Sequence, residues 1–131
     1  MAIVEQGKGK IDYLNTDGLG VGNSPKGKFE LPYTIEGEIV EFERHSYRGN
    51  DNVILKKILQ ASEHRKKPEC QYFGSCGGCL LQHLDVDYYN EFKISVLTKA
   101  LEYKSLKTII KPMISIPAGH RRRATFEVVK K

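Results

Sequence analysis

Three cysteines, Cys70, Cys76 and Cys79, lie within ten residues of one another and are the only cysteines of the chain. Thiolates are soft ligands that suit zinc and iron–sulfur clusters. Gly77 and Gly78 separate the last two cysteines, and glycine permits the tight turn that would bring both sulfurs to one centre. The spacing predicts a metal site on these three side chains, with buried free cysteines as the alternative.

A tetrahedral zinc site or a [4Fe–4S] cluster uses four ligands, and the chain supplies three cysteines. His83, four residues after Cys79, is a candidate fourth ligand. The alternative interpretation is that His83 makes hydrogen bonds at the start of a following helix. Three cysteines cannot all pair with one another, so they favour a reducing compartment over a disulfide framework.

A run of three arginines, Arg121, Arg122 and Arg123, is the second candidate site. Guanidinium groups bind phosphate through two hydrogen bonds and stack on unpaired bases, so the run is a candidate RNA contact. The pattern of residues 125–129 predicts a strand, and alternation along it would put Arg121 and Arg123 on one face. A solvated charge run is the alternative.

The net charge of +5 is unevenly distributed along the 131 residues. Residues 1–65 hold nine Lys and Arg against ten Asp and Glu, whereas residues 66–131 hold twelve against six. Localised positive charge suits a polyanion, because neutralised phosphates release their counterions. No Ser, His and Asp grouping indicates nucleophilic catalysis, and no catalytic residue is predicted.

The elements that must position these residues indicate an α+β chain. Residues 10–14, 28–32, 34–44 and 53–59 read as short strands between turn signals, which predicts a small antiparallel barrel over residues 1–65. The glycines of residues 17–22 are interpreted as turn or bulge positions rather than a dinucleotide loop. A helix is predicted after residue 84, with Asp85 or Asp87 as its N-cap. Its apolar positions recur at helical spacing: Tyr89, Phe92, Val96, Ala100 and Tyr103.

The first residues and the hydropathy of the chain favour neither a secreted nor a membrane-spanning protein. No apolar run approaches the roughly 18 residues of a membrane span. The first residues carry Glu5 where a signal peptide has basic and then apolar residues. A cytoplasmic protein without a membrane partner is therefore expected.

Residues 70–84, CQYFGSCGGCLLQHL, closely resemble the cluster motif of bacterial RNA (uracil-5-)methyltransferases. These enzymes use S-adenosylmethionine to methylate C5 of a uridine in ribosomal or transfer RNA. The leading segment, with DGLGVG at residues 17–22 and GE at residues 37–38, is similar to a TRAM domain, an OB-like RNA-binding barrel. Residues 121–124, RRRA, resemble a YRRRA segment of the family, with His120 in the tyrosine position.

The resemblance implies a division of labour along the chain. Cys70, Cys76 and Cys79 would be three ligands of a [4Fe–4S] cluster, with zinc as the alternative. Residues 1–65 would form a five-stranded TRAM barrel, and residues 66–131 an incomplete cluster-bearing domain whose partner is ribosomal or transfer RNA.

The family's remaining parts lie beyond the region that this sequence resembles. They include the fourth cluster cysteine, the nucleophilic cysteine and the S-adenosylmethionine-binding domain. The chain is therefore expected to correspond to the N-terminal third of such an enzyme and to be inactive alone. The C-terminal half would be its partner if the gene is split.

Two other classes remain as alternatives. A stand-alone RNA-binding module with a zinc or iron–sulfur site and no catalysis is compatible with the composition. A radical S-adenosylmethionine enzyme also binds a cluster through three cysteines, but its usual C-x3-C-x2-C spacing differs from the C-x5-C-x2-C found here.

Overall fold

Six strands precede one helix along the described part of the chain, which confirms the predicted α+β class. The computed structural model describes residues 2–126, 128 and 130. The chain divides into two units, Met1–Arg65 and Lys66–Lys131. The elements are β1 (Ala2–Lys10), β2 (Tyr13–Leu14), β3 (Gly20–Ser24), β4 (Gly27–Leu31), β5 (Ile39–Tyr47), β6 (Asn50–Gln60) and α1 (Val86–Tyr103).

The six strands of the first unit form two antiparallel three-stranded sheets, in the orders β1-β5-β6 and β2-β3-β4. The strand number is six rather than the five expected, and the strands predicted from the sequence pattern include neither β1 nor β3. Gly7 and Gly9 obscure the alternation of β1, yet a Cβ at Gly9 would lie 2.8 Å from Cζ of Phe29. The glycines therefore serve the packing of this strand against the core.

The core of the first unit is a cluster of five apolar side chains, all nearly inaccessible to solvent. Its centre is the stacked pair Phe29 and Phe42, whose ring centroids are 4.3 Å apart. Phe29 belongs to β4 and Phe42 to β5, so the pair joins the two sheets. The complete cluster is Ile11, Phe29, Leu31, Val40 and Phe42.

Gly18 occupies a turn, as the interpretation of residues 17–22 predicts, whereas Gly22 lies in the regular strand β3 and is neither a turn nor a bulge residue. Gly18 has φ +83° in a turn that its N–H closes on the carbonyl of Asn15 at 3.0 Å. A Cβ at Gly22, within β3, would lie 2.5 Å from the carbonyl oxygen of Lys10. The first glycine is needed for its backbone conformation and the second for close approach.

A buried carboxylate, that of Glu38, ties the end of the first unit to the turn before β5. Nε of Arg65 donates to Oε2 and Nη2 to Oε1, both at 2.8 Å. The N–H of Ile35 donates to Oε1 at 2.7 Å, and the N–H of Ser62 donates to Oε2 at 3.1 Å. The Glu38 side chain is inaccessible to solvent, and these four donors compensate the cost of burying its charge.

A second buried pair, Arg44 with Glu5, ties β1 to β5 and to the β3–β4 turn. Nε of Arg44 lies 3.2 Å from Oε2 of Glu5, and the hydroxyl of Ser24 donates to the same oxygen at 3.0 Å. Nη2 of Arg44 also donates to the carbonyl of Gly27 at 3.2 Å. Both sheets of the first unit are therefore fastened at this edge by hydrogen bonds as well as by the apolar core.

The helix of the second unit begins and ends with side-chain and backbone caps. Oδ1 of Asp85 accepts the N–H of Tyr88 at 2.8 Å, which selects Asp85 from the two predicted caps. At the other end Ser105 has φ +56°, and the N–H of Leu106 donates to the carbonyl of Leu101 at 2.9 Å, as in a Schellman motif.

The predicted apolar stripe of α1 is covered over its first turns only. Phe92 is buried, and Tyr89 and Val96 are half-buried. Ala100 is exposed, and Tyr103 is 84% exposed. The helix therefore packs mainly through its N-terminal half. The spacing of the apolar residues predicted the helix correctly but overestimated how much of the apolar stripe is buried.

The residues after α1 are irregular where the structure describes them. The strand predicted for residues 125–129 is not formed at Thr125, Phe126 or Val128, while Glu127 and Val129 lie outside the described residues. Isolated alternation does not make a strand without a neighbouring strand to supply its hydrogen bonds. No helix in the described residues is long and apolar enough to cross a membrane.

Candidate metal centre and arginine segment

Tight turns shape the loop that carries the three cysteines. The carbonyl of Tyr72 accepts the N–H of Cys76 at 2.9 Å, and the carbonyl of Cys70 accepts the N–H of Phe73 at 3.1 Å. Gly74 has φ +94° and Gly77 has φ +77°, conformations that glycine adopts without strain. We call residues 70–79 the cysteine loop.

All three cysteines line one cavity of about 510 Å³. The cysteine loop and Gln82 form one part of its wall, and residues 124–126 form another. Cys70 and Cys79 are solvent-exposed, Cys76 is half-buried, and all three are free thiols. The structure thus brings together the three residues that the sequence singled out, and adds a wall segment 45 residues away that no spacing rule indicated.

Gly78 is the position where the loop touches residues 124–126 most closely. A Cβ at Gly78 would lie 2.8 Å from the carbonyl oxygen of Thr125 and 3.4 Å from Sγ of Cys76. Cβ atoms essentially never approach another heavy atom as closely as 2.8 Å, so any larger residue here must displace one of the two segments. The second glycine of the Gly-Gly pair is therefore required for space.

Two hydrogen bonds hold Cys70 in the cavity wall. The N–H of Tyr72 points at Sγ of Cys70 with a distance of 3.4 Å, and Oε1 of Gln82 accepts the N–H of Cys70 at 3.0 Å. Hydrogen bonds to thiolate sulfur tune iron–sulfur centres. Sequence reasoning missed Gln82, whose only signal is its place three residues after Cys79.

The chemical type of the three donors suits a thiolate-bound centre, although two of the three cysteines are exposed. Three soft sulfur donors face one cavity, and the volume has room for a cluster of several atoms. Within the described residues, however, no three His, Cys, Asp or Glu side chains form a group that could hold a metal ion. The cavity, rather than a preformed ligand sphere, is the observation that relates the cysteines to a metal.

His83 occupies the interior of the second unit and is not among the residues that line the cavity. Its side chain is inaccessible to solvent and stacks on Phe73 with the ring centroids 5.6 Å apart. Its carbonyl accepts the N–H of Lys66 at 2.9 Å. The His83 ring thus packs against Phe73 of the cysteine loop, and its predicted hydrogen-bonding role at the start of the helix stays a prediction.

Arg121, Arg122 and Arg123 are exposed and lie in an irregular segment, so the strand alternation predicted for them is absent. They directly precede Ala124, the first residue of the second part of the cavity wall. The candidate phosphate-binding charges therefore adjoin the candidate metal centre.

The tip of the β5–β6 hairpin is a further exposed aromatic and cationic feature. The Tyr47 ring is 53% exposed, and Cζ of Arg48 lies 5.1 Å from the ring centroid. Arg48 and Gly49 have φ +51° and +81°, the signs that a two-residue hairpin turn requires. Sequence analysis did not single out this tip, because no chemical motif accompanies it.

Comparison with known proteins gives relatives for almost the whole chain, although no protein-family model matches it. An uncharacterized RNA methyltransferase of Brucella suis is 32% identical over 130 residues, which are 99% of this chain and 30% of that protein. A tRNA (uracil(54)-C(5))-methyltransferase of Pyrococcus abyssi is 36% identical over 94% of this chain and 29% of its own length.

A third relative acts on ribosomal RNA according to its name. This 23S rRNA (uracil(1939)-C(5))-methyltransferase of Stenotrophomonas maltophilia is 35% identical over 88% of this chain and 28% of its own length. The chain therefore spans about 30% of the length of the curated relatives that it matches.

Proposed function

We propose that this chain, which belongs by its sequence to the RNA (uracil-5-)methyltransferase family, is the RNA-holding and cluster-binding part of a uridine C5-methyltransferase. The observation that carries the proposal is the shared wall of the cavity. Three cysteines line it from one segment, and the segment that follows the arginine run lines it from the other.

Cys70, Cys76 and Cys79 would hold three corners of a [4Fe–4S] cluster. Thiolate ligation would cross-link the cysteine loop, in which neither helix nor strand ladders supply order. The N–H of Tyr72 at Cys70 and the amide of Gln82 would orient the first ligand. The chain offers three thiols, so the fourth corner would be taken from outside these residues.

RNA would be bound by both units. Arg121–Arg123 supply fixed positive charge, and arginine forks match the geometry of phosphate oxygens. The first unit, proposed as a TRAM domain, would add Tyr47 and Arg48 at its hairpin tip, where an exposed ring can stack on an unpaired base. Ribosomal and transfer RNA are the substrates that the names of the relatives indicate.

Methyl transfer itself is assigned to the whole enzyme. S-adenosylmethionine would supply the methyl group. A nucleophile would add to C6 of the uracil, and this addition makes C5 nucleophilic enough to attack the methyl carbon. The described strand pairs are all antiparallel, and the described residues offer no βαβ unit for such a cofactor. The role proposed for this chain is therefore to bind and orient the RNA.

The cysteine site is tested by measuring iron, sulfide and zinc in protein purified without oxygen. We expect bound iron and sulfide in the wild type and their loss in Cys76→Ser. Ser75→Ala is the matched control, because Ser75 neighbours Cys76 and lines the same cavity without contributing a thiolate.

Metal at background level in the wild type, equal to that of Cys76→Ser, would refute the site. Zinc in place of iron and sulfide would favour the alternative of an RNA-binding module with a structural zinc. The three-thiolate site is also expected to lose metal quickly in air, since an incompletely ligated cluster exposes iron to oxygen.

A further inference from the structure

The arginine run and the cysteine loop are connected through a very short path of backbone. Arg123 is two residues from Thr125, so the Cα atoms of these residues are at most about 7 Å apart. Thr125 in turn lies against Gly78, between two of the cysteines, at the contact where a Cβ would be 2.8 Å from its carbonyl oxygen. The two segments therefore lie against each other at this contact, with no room for a side chain between them.

The contact also involves a ligand directly. The same virtual Cβ would lie 3.4 Å from Sγ of Cys76, so the Thr125 carbonyl, Gly78 and the Cys76 sulfur are packed together. Gly78 does not have a positive φ among the described glycines, so its small size rather than its conformation is what the site uses. Alanine at this position would therefore act through the contact and not through backbone strain.

Residues 120–126 have no helix or strand of their own to fix them. Of these residues, 124–126 line the cavity together with the cysteine loop, so the exposed arginine run is connected to the loop through the residues that directly follow it. Ligand binding to the loop thus supplies free energy that can order the arginine run. By thermodynamic linkage, if metal binding raises the affinity for RNA through this contact, RNA binding raises the affinity for the metal by the same factor.

We propose that occupancy of the cysteine cavity controls RNA affinity by fixing Arg121–Arg123 through the Gly78–Thr125 contact. This inference rests on the proposed function, because it needs both a metal centre and RNA binding. It adds that the metal centre regulates RNA binding. Loss of the cluster would lower the affinity for RNA because the arginine side chains, although still charged, would no longer be held in position.

The test compares wild type and Gly78→Ala, each as apoprotein and after anaerobic reconstitution with ferrous iron and sulfide. The probe is an unmodified tRNA transcript at several salt concentrations. Reconstitution should tighten wild-type binding by about tenfold, within the usual 5–150-fold range of allosteric coupling. Compared at equal iron occupancy, Gly78→Ala should show no such gain, while Thr108→Ala, at an exposed position outside the cavity lining, should behave as the wild type.

A second readout needs no RNA. Trypsin cleavage after Arg121, Arg122 and Arg123 should slow on reconstitution in the wild type and not in Gly78→Ala. Cleavage at the exposed helix residues Lys93 and Lys99 is the internal control for general unfolding. Parallel protection at the lysines would show that metal stabilises the entire unit and would overturn the specific coupling.

The outcomes separate this inference from the function on which it rests. If the wild type binds both iron and RNA but binds RNA equally well with and without iron, the coupling is overturned and the proposed function stands. If the wild type binds no metal or no RNA, both are overturned. If Gly78→Ala fails to take up iron, the wild-type affinity and protection data decide the question alone.

Discussion

What distinguishes the arginine run, Arg121–Arg123, from the other cations of the second unit is its position beside the cavity wall and not the exposure of its side chains. Like most lysines of this unit they are exposed, but they adjoin the wall of the cysteine cavity. Guanidinium groups stay charged at any physiological pH, so their contribution to RNA binding is governed by salt rather than by protons.

Replacing Arg121 and Arg123 with alanine should therefore weaken binding of structured RNA and flatten its dependence on salt. Two lost phosphate contacts reduce the magnitude of the slope of log affinity against log salt by roughly 1.4 to 1.8. The control is Lys107→Ala with Lys111→Ala, which removes the same charge from two exposed positions of the same unit. Equal losses in both double variants, measured by filter binding, would assign the arginines to general surface charge.

At the scale of elements, the Glu38–Arg65 pair is where a single contact joins distant parts of the first unit. It connects the turn before β5 to the residues after β6, across 27 positions of sequence. Because the carboxylate is inaccessible and accepts four hydrogen bonds, its removal leaves Arg65 and two backbone N–H groups without their acceptor.

We expect Glu38→Gln to lower the free energy of unfolding of the first unit by about 3 kcal/mol. This is the low end of the range for breaking a buried pair, since the Arg65 side chain keeps 22% exposure and can be partly rehydrated. Glu36→Gln, at an exposed position two residues earlier, should change it by less than about 0.5 kcal/mol. Hydrogen exchange of the β5 amides measures both, and equal protection in the two variants would contradict the role of the pair.

Sequence patterns predicted those elements whose apolar spacing agrees with their packing. The helix was predicted from a run that repeats at helical spacing, with Asp85 and Asp87 as candidate caps, and the structure selects Asp85. β1 was missed because Gly7 and Gly9 interrupt its alternation, and the need for glycine there comes from Phe42 and Phe29. Because Phe29 and Phe42 are distant in the sequence, the residues around Gly7 and Gly9 give no indication that small side chains are needed there.

The same limit applies to the candidate site. Cys70, Cys76 and Cys79 were predicted from residue type and short spacing, and the structure places them around one cavity. The opposite wall at Thr125 is remote in sequence and contributes a carbonyl, which every residue possesses. Gly78 was interpreted as a turn residue, whereas its closeness to that carbonyl gives it a steric role.

At the scale of the whole molecule, the 131 residues span about 30% of the relatives' length. Their described elements are two antiparallel sheets and a helix, and all three thiols are located at the proposed metal centre. The strand pairs of residues 2–126 are all antiparallel, and the three cysteines of the sequence are all assigned to the proposed metal centre.

A polypeptide of residues 1–131 should accordingly bind RNA and leave it unmethylated. Incubation with tritiated S-adenosylmethionine should transfer no label to ribosomal or transfer RNA above a blank without protein. Calorimetry should likewise detect no heat of S-adenosylmethionine binding. Label that persists through stringent purification would reassign one of the three cysteines from the cluster to catalysis.

The order β1-β5-β6 has a consequence for how the first unit is made on the ribosome. β1 is synthesised first, but its partner β5 begins only at Ile39, whereas β5 and β6 are adjacent in the chain and joined by a two-residue turn. At about 5–20 residues per second, β1 waits for seconds before it can be paired. We therefore expect the β5–β6 hairpin to nucleate folding, and the first strand translated to be added to an already formed edge.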